Sequence, residues 1–136
     1  AGEAAKAAGA KRALVLPVSA PFHCALMKPA ADRLAEALAG VEFRTPEIPV
    51  IDNVDVAAET DPARIRDALF RQAYCPVRWI ETVQAIAARG VDRIAECGPG
   101  KVLAGLVKRC DAGVEAVALN DGAAFEQFLQ LTRGQA

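Results

Sequence analysis

Apolar residues recur along this 136-residue chain in two patterns, at every third or fourth position or in short continuous runs. The first pattern predicts amphipathic helices and the second predicts buried strands. The predicted helices lie near residues 2–10, 29–39, 62–74, 79–88, 102–107 and 123–131. The predicted strands are ALVLPV at 13–18, PVIDN at 49–53, RIAEC at 93–97 and VEAVAL at 114–119. The helix after residue 101 should bury Val102, Leu103, Leu106 and Val107.

The order of these elements indicates the fold class. From Val50 onward it is strand, helix, helix, strand, helix, strand, helix. Strands that alternate with helices and are apolar along their length are typical of a parallel α/β sheet with helices on both faces. The opening helix and the strand at 13–18 stand outside this alternation, and they suggest the tail of a separate small α+β lobe.

Composition places the chain among globular proteins, with 53% hydrophobic and 24% charged residues. A net charge of −1 argues against a nucleic-acid partner, and no apolar run approaches the ~20 residues of a membrane span. The four scattered cysteines form no metal-binding or disulfide pattern, which fits a reducing cytoplasm. The opening AGEAAKAAGA has no signal-peptide character and reads as the later part of a helix, so we expect a piece of a longer chain.

The candidate chemistry centres on PFHC, where His23 is the one histidine of the chain and follows its one serine, Ser19, by four positions. Ser19 lacks the flanking glycines of a nucleophile elbow, so it is better interpreted as a turn hydroxyl. Nothing local activates the Cys24 thiol. His23 lies in a proline-bounded connection from a strand to a helix, where α/β folds place functional residues, but position alone favours a structural histidine.

Two further features invite a functional reading. GPGK at residues 98–101 lacks the spacing of a phosphate loop, and Val102 stands where a Mg²⁺-binding hydroxyl is needed. A strand-to-helix turn with positive φ is the better interpretation. The basic residues Lys101, Lys108 and Arg109 are either a solvated helix face or a contact for an acidic partner.

Four segments in order resemble the malonyl-CoA:acyl carrier protein transacylases of bacterial fatty acid synthesis: LPVSAPFHCALMKPAADRLAEAL, IPVIDNVDV, IRDALFRQAYCPVRW and ECGPGKVLAGLVKR. The resemblance covers nearly the whole chain, but only the C-terminal half or slightly less of such an enzyme. It implies that residues 1–18 end a ferredoxin-like small subdomain. It also implies that residues 19–136 are the C-terminal part of an α/β-hydrolase-like acyltransferase subdomain.

The resemblance also implies a mechanism, ping-pong transfer of malonyl from coenzyme A to the phosphopantetheine thiol of acyl carrier protein. His23 matches the general base, and Gln72 matches the residue whose backbone carbonyl orients that histidine. The nucleophilic serine, in a GHSLG-type elbow, and the malonate-binding arginine would lie in the missing N-terminal portion. The implied partners are therefore malonyl-CoA, acyl carrier protein and that portion, in the cytoplasm, with no resident cofactor or metal.

Two more positions have implied roles with open alternatives. Phe22 matches a position that goes with malonyl rather than methylmalonyl selection in related acyltransferases, and a core aromatic is the alternative. Asn53 either supports the His23 loop by hydrogen bonding or forms a turn. For the chain as a whole, the alternatives are an acyltransferase domain of a polyketide or fatty acid megasynthase and a non-catalytic interaction fragment.

Overall fold

Six α-helices and two β-strands form along residues 1–15 and 17–133, the part of the chain that this computed structural model describes. In chain order they are α1 (Gly2–Ala7), α2 (Lys28–Ala39), α3 (Pro62–Gln72), α4 (Trp79–Ala87), β1 (Arg93–Cys97), α5 (Val102–Cys110), β2 (Glu115–Leu119) and α6 (Gly122–Arg133). A 3₁₀ turn at Ala25–Met27 leads directly into α2. The predicted helices and the last two predicted strands are present, with ends shifted by a few residues.

Local sequence signals set several of these ends. The Asp61 side chain caps α3 by accepting hydrogen bonds from the amides of Ala63 and Arg64 at 2.8 and 3.0 Å, and Pro62 occupies the first helical position. Gly98 has φ +141°, so the turn after β1 needs a glycine, as the sequence predicts. These signals act within a few residues, which is why the sequence alone locates them.

The two strands pair in parallel, with Arg93 opposite Glu115 and Cys97 opposite Leu119. Helix α5 makes the crossover between them and packs on both. The core between this sheet and the helices is centred on Val83 of α4, Val107 of α5 and Val114. This arrangement confirms an α/β fold with a parallel sheet, but the sheet over residues 1–15 and 17–133 has two strands, fewer than the pattern predicts.

The buried face of α5 is narrower than the sequence predicts. Val107 is fully buried, but Val102 is 70% exposed and Leu103 is also exposed. The prediction that all four apolar residues of α5 are buried was therefore wrong. A two-stranded sheet covers only one narrow stripe of a helix, so the apolar residues at the start of α5 have nothing to pack against.

The predicted strand at 13–18 is not formed. Residues 13–15 and 17–18 have no regular structure, and Leu16 lies outside the described residues. Leu14 and Val15 are 71% and 99% exposed. An apolar run becomes a strand only when a neighbouring strand accepts its backbone hydrogen bonds, and none lies alongside it in the described chain.

The predicted strand at 49–53 was also wrong. It is reduced to one antiparallel bridge between Ile51 and Ala58. The Asp52 carboxylate accepts hydrogen bonds from the amides of Val54 and Asp55 at 2.9 and 2.6 Å, which turns the chain back on itself at once. Val56, inside this turn, has φ +59°, an uncommon conformation for a β-branched residue.

A large surface remains uncovered. The accessible surface is 9904 Å², whereas a compact monomer of this mass, 14.3 kDa, exposes about 6,800 Å². The excess, about 3,000 Å², is of the size buried in obligate interfaces. None of the helices in the described ranges has both the length and the apolar character needed to cross a membrane.

Val107→Ala should lower the free energy of unfolding by about 1.5–3 kcal/mol, because it removes a fully buried side chain from the centre of the core. Val102→Ala, on the same helix but 70% exposed, is the matched control and should change it by less than about 0.5 kcal/mol. Urea unfolding of both variants measures the difference. Equal losses would mean that the core is not centred on Val107.

Candidate functional site

His23 lies in a tight, exposed turn between the extended residues before it and the 3₁₀ turn that leads into α2. Its φ of +57° is in the left-handed region, which histidine enters more readily than most residues but which remains uncommon. The Phe22 amide donates to the Ala20 carbonyl at 2.9 Å, and the Cys24 thiol donates to the Pro21 carbonyl at 3.1 Å. Local hydrogen bonds on both sides therefore hold the histidine in this conformation.

The His23 ring contacts the C-terminal end of α3, where Nδ1 lies 3.2 Å from the backbone carbonyl oxygen of Gln72. That carbonyl is available because its partner in a continuing helix would be the amide of Pro76, and proline has no N–H. The amides of Tyr74 and Cys75 both donate to the Arg71 carbonyl instead. The structure thus brings together two residues 49 positions apart whose pairing the family resemblance implies.

This contact decides what the imidazole can do. A carbonyl oxygen only accepts, so the hydrogen bond places a proton on Nδ1 and leaves the lone pair on Nε2. The C-terminal end of a helix also favours positive charge nearby. The side chain as a whole is exposed. An imidazole held in this way can accept a proton at Nε2.

The nearby nucleophile candidates do not complete a site. Residues 19 and 23 are both described, and no hydrogen bond joins Ser19 to His23. The Cys24 thiol is directed to the Pro21 carbonyl. Neither side chain therefore forms a hydrogen bond with the imidazole in the described part of the chain.

Phe22 and Asn53 have different surroundings. Phe22 is 55% exposed in the described chain. The Asn53 carbonyl accepts from the amide of Arg78 at 3.2 Å, and its Oδ1 accepts from the Thr82 hydroxyl at 3.4 Å. These two bonds attach the 52–58 turn to the start of α4.

A cluster of ion pairs, which sequence reasoning missed, lies beside Gln72. Arg71 binds Asp55 through two hydrogen bonds, of 2.8 Å (Nη1 to Oδ1) and 2.5 Å (Nη2 to Oδ2), and its Nε donates to Asp67 at 2.6 Å. The Arg71 guanidinium holds the pKa of Asp55 below its usual range, and Asp55 and Asp67 raise the pKa of Arg71. The i, i+4 spacing of Asp67 and Arg71 indicates their ion pair from the sequence, but only the tertiary fold places Asp55 beside Arg71.

A second pair, Arg78 with Glu81, extends the charged region to the start of α4. Arg78 donates to Glu81 through Nε at 2.8 Å and through Nη2 at 2.5 Å. The hydrogen bonds lower the pKa of Glu81 and raise that of Arg78. Both arginines near the histidine loop are thus engaged with carboxylates of this chain.

A cavity of about 320 Å³ lies on the other side of Gln72, between α3 and the 46–59 segment. Its walls are mainly apolar, including Val50, Ile65 and Leu69, and its polar lining includes the carboxylates of Asp52 and Glu59. His23 does not line it. Carboxylates repel a malonyl anion, so this cavity is unsuited to that substrate.

The GPGK turn is not a phosphate site. The Glu96 carboxylate accepts a hydrogen bond from the Ala104 amide at 2.8 Å, so the start of α5 is already occupied by an anion of the chain itself. Lys101, Lys108 and Arg109 are exposed. In the described part of the chain no three His, Cys, Asp or Glu side chains cluster as metal ligands would.

Comparison with known proteins gives a consistent set of relatives, although no protein-family model matches the chain. A malonyl CoA-acyl carrier protein transacylase of Salmonella typhimurium is 60% identical over 129 residues, which are 95% of this chain and 42% of that protein. The crystal structure of an acyl carrier protein S-malonyltransferase from Vibrio cholerae is 61% identical with a TM-score of 0.86, covering 93% of this chain and 42% of that one.

A further solved structure contains a type II PKS acyl-carrier protein in complex with its malonyl-transacylase. It is 58% identical with a TM-score of 0.84, covering 90% of this chain and 40% of that one. This chain therefore spans less than half the length of the proteins it matches, and it corresponds to their C-terminal part.

Asp55→Asn should destabilise the fold near neutral pH by at most about 1 kcal/mol, since the Asp55 and Arg71 side chains are 37% and 30% exposed and solvent screens the pair. The folded-state pKa of Asp55 lies below its unfolded value of about 3.9. The stabilisation is therefore present above about pH 4 and is lost as pH falls through the folded-state pKa.

Urea unfolding of wild type and Asp55→Asn from neutral to acid pH measures this dependence. The difference between the two proteins should shrink as the pH falls below about 4. Asp92→Asn, at an exposed carboxylate with no ion pair or side-chain hydrogen bond in the described chain, is the control for replacing a carboxylate by an amide. A difference that stays constant with pH would contradict the assignment.

Proposed function

From the premise that this chain is homologous to the C-terminal part of the malonyl CoA-acyl carrier protein transacylases, we propose that it supplies the general base for transfer of a malonyl group from coenzyme A to acyl carrier protein. The observation that carries the proposal is the exposed imidazole of His23, with Nδ1 on the Gln72 carbonyl, a bond that leaves Nε2 as the ring nitrogen able to accept a proton. The nucleophilic serine and the malonate-binding arginine belong to the N-terminal portion, which this chain does not include.

In the first half-reaction, Nε2 of His23 takes the proton of the serine hydroxyl as its oxygen attacks the thioester carbonyl carbon. The tetrahedral intermediate collapses by breaking the carbon–sulfur bond. The departing coenzyme A thiolate then takes the proton from the imidazolium. The product is a malonyl ester on the serine, and His23 is neutral again.

The second half-reaction runs the same steps toward acyl carrier protein. His23 takes the proton of the phosphopantetheine thiol, whose sulfur attacks the ester carbonyl. The serine oxygen leaves and recovers the proton from the imidazolium. The scheme needs no resident cofactor or metal, because every proton moves between the two substrates, the serine and one imidazole.

The Gln72 carbonyl takes the place that an aspartate has in a serine protease triad. It orients the ring and fixes the tautomer, but it carries no full charge and stabilises an imidazolium less than a carboxylate would. Thioesters have better leaving groups than amides, so weaker assistance suffices. We assign Phe22 a role in excluding an α-methyl substituent of the substrate, where a rigid ring is worth about 1–3 kcal/mol.

Acyl carrier protein is the proposed acceptor. One relative, at 58% identity, is described as a malonyl-transacylase bound to a type II PKS acyl-carrier protein. Exposed Lys101, Lys108 and Arg109 offer positive charge to an acidic carrier. The surface excess of about 3,000 Å² suits the N-terminal portion of the same enzyme as a second partner.

Alone, the 136-residue chain should not be acylated by malonyl-CoA, because it contains no activated serine. Intact-mass spectrometry after incubation should show the unmodified mass. A stable malonyl ester on Ser19 would overturn the division of labour that we propose. If the full-length protein that carries this chain also failed to transfer malonyl, that result would favour the alternative that the chain is a non-catalytic interaction fragment.

In a full-length transacylase that carries this chain, His23→Ala should slow malonyl transfer by ~10²–10⁴-fold, the usual contribution of a positioned base. Ser19→Ala in the same protein is the matched control and should leave turnover unchanged, because no hydrogen bond joins Ser19 to the imidazole in the described structure. Steady-state transfer to acyl carrier protein measures both. Normal turnover in the histidine variant would remove His23 from the mechanism.

A further inference from the structure

The His23 turn and the end of α3 touch at a second place, five residues further along. Lys28 is the first residue of α2, and its Nζ lies 5.0 Å from the ring centre of Phe70 and 5.1 Å from that of Tyr74. The two rings meet edge to face, with centres 5.4 Å apart and planes at 70°. One ammonium group therefore binds the faces of an aromatic pair.

Phe70 and Tyr74 flank Gln72, two residues before it and two after it. The aromatic pair and the carbonyl that holds the imidazole therefore all lie within two residues of the C-terminal end of α3. On the other side, the path from His23 to Lys28 is short and hydrogen bonded, since the 3₁₀ turn intervenes and the Met27 amide donates to the Cys24 carbonyl at 2.9 Å. A shift of Lys28 relative to α3 is therefore transmitted to His23.

The hydrogen bond from His23 needs such support. It is a single contact of 3.2 Å between exposed groups, made by a residue at φ +57°. Water competes for both partners, so an exposed hydrogen bond of this kind does not by itself hold a ring in one orientation. Two contacts between the same two segments restrict both the separation and the rotation of the turn against the helix.

We propose that Lys28 is a positioning residue for His23: its ammonium, bound to the Phe70–Tyr74 pair, holds the 23–28 segment against the end of α3 and so keeps Nδ1 on the Gln72 carbonyl. This inference rests on the proposed function for its catalytic meaning. Its structural content, a dependence of the His23 tautomer on Lys28, is independent of any transfer activity.

Within the described chain, the Lys28 side chain also forms an ion pair with Asp32, in which Nζ and Oδ1 are 3.7 Å apart. Both side chains are more than half exposed, and such i, i+4 pairs contribute little. Asp32→Asn removes this pair without touching the aromatic rings. It is therefore the matched control for the lysine substitution.

His23 is the one histidine of the chain, so the imidazole signals of a histidine-labelled sample belong to it alone. Long-range ¹H–¹⁵N spectra above the titration range of the ring report the tautomer. Wild type, Lys28→Arg and Asp32→Asn should show mainly the Nδ1–H form. Lys28→Met should lower the ratio of Nδ1–H to Nε2–H by about 2- to 5-fold, the equilibrium factor of an exposed cation–π contact.

Phe70→Leu tests the same contact from the other side and should act like Lys28→Met, even if the methionine variant does not fold. An unchanged tautomer ratio in a folded Lys28→Met or Phe70→Leu protein would overturn the proposal. So would an equal change in Asp32→Asn, because the ion pair would then be responsible.

In the full-length transacylase, Lys28→Met should lower kcat by the factor by which the Nδ1–H fraction falls, which is smaller than the about 2- to 5-fold change in the tautomer ratio, leave KM for malonyl-CoA unchanged and be rescued by Lys28→Arg. A tautomer shift without any change in kcat would leave Lys28 as a positioning residue and remove His23 as the base. A change in KM alone would contradict the positioning role. Failure of the positioning role of Lys28 can thus be distinguished from failure of the proposed function of His23.

Discussion

The site depends on one hydrogen bond, between Nδ1 of His23 and the backbone carbonyl of Gln72. It exists because Pro76 withholds the amide that would otherwise bind this carbonyl, and because the turn at residues 20–27 presents the ring to the end of α3. From this bond follow the tautomer and the lone pair left on Nε2. Without it, the imidazole would be one more polar side chain on a mobile surface turn.

Three cationic side chains of the segments next to this bond are engaged with other groups of the chain. Arg71, adjacent to Gln72, is bound to Asp55 and Asp67, and Arg78 is bound to Glu81. Lys28 is directed to aromatic faces. The imidazole is therefore held at a helix C-terminus by a neutral acceptor, which supports a positive charge less than a carboxylate would.

Apolar surface around this site is left exposed by the rest of the described chain. The sheet of the described residues has two strands, and the apolar side chains before and after His23 are exposed, among them Val18, Phe22 and Leu26. An exposed apolar surface of this kind is typical of a face that another polypeptide portion covers.

The sequence by itself determined what depends on nearby residues: the cap of α3 by Asp61, the glycine turn at Gly98, the strands β1 and β2 around their crossover helix, and the missing donor at Pro76. It was wrong at 13–18 and 49–53, because an apolar run cannot show whether a partner strand will bind its backbone. It paired His23 with Gln72 only through family resemblance. Tertiary structure alone decided that Asp55 meets Arg71 and Lys28 meets Phe70 and Tyr74, since contacts between distant segments depend on how helices and turns pack.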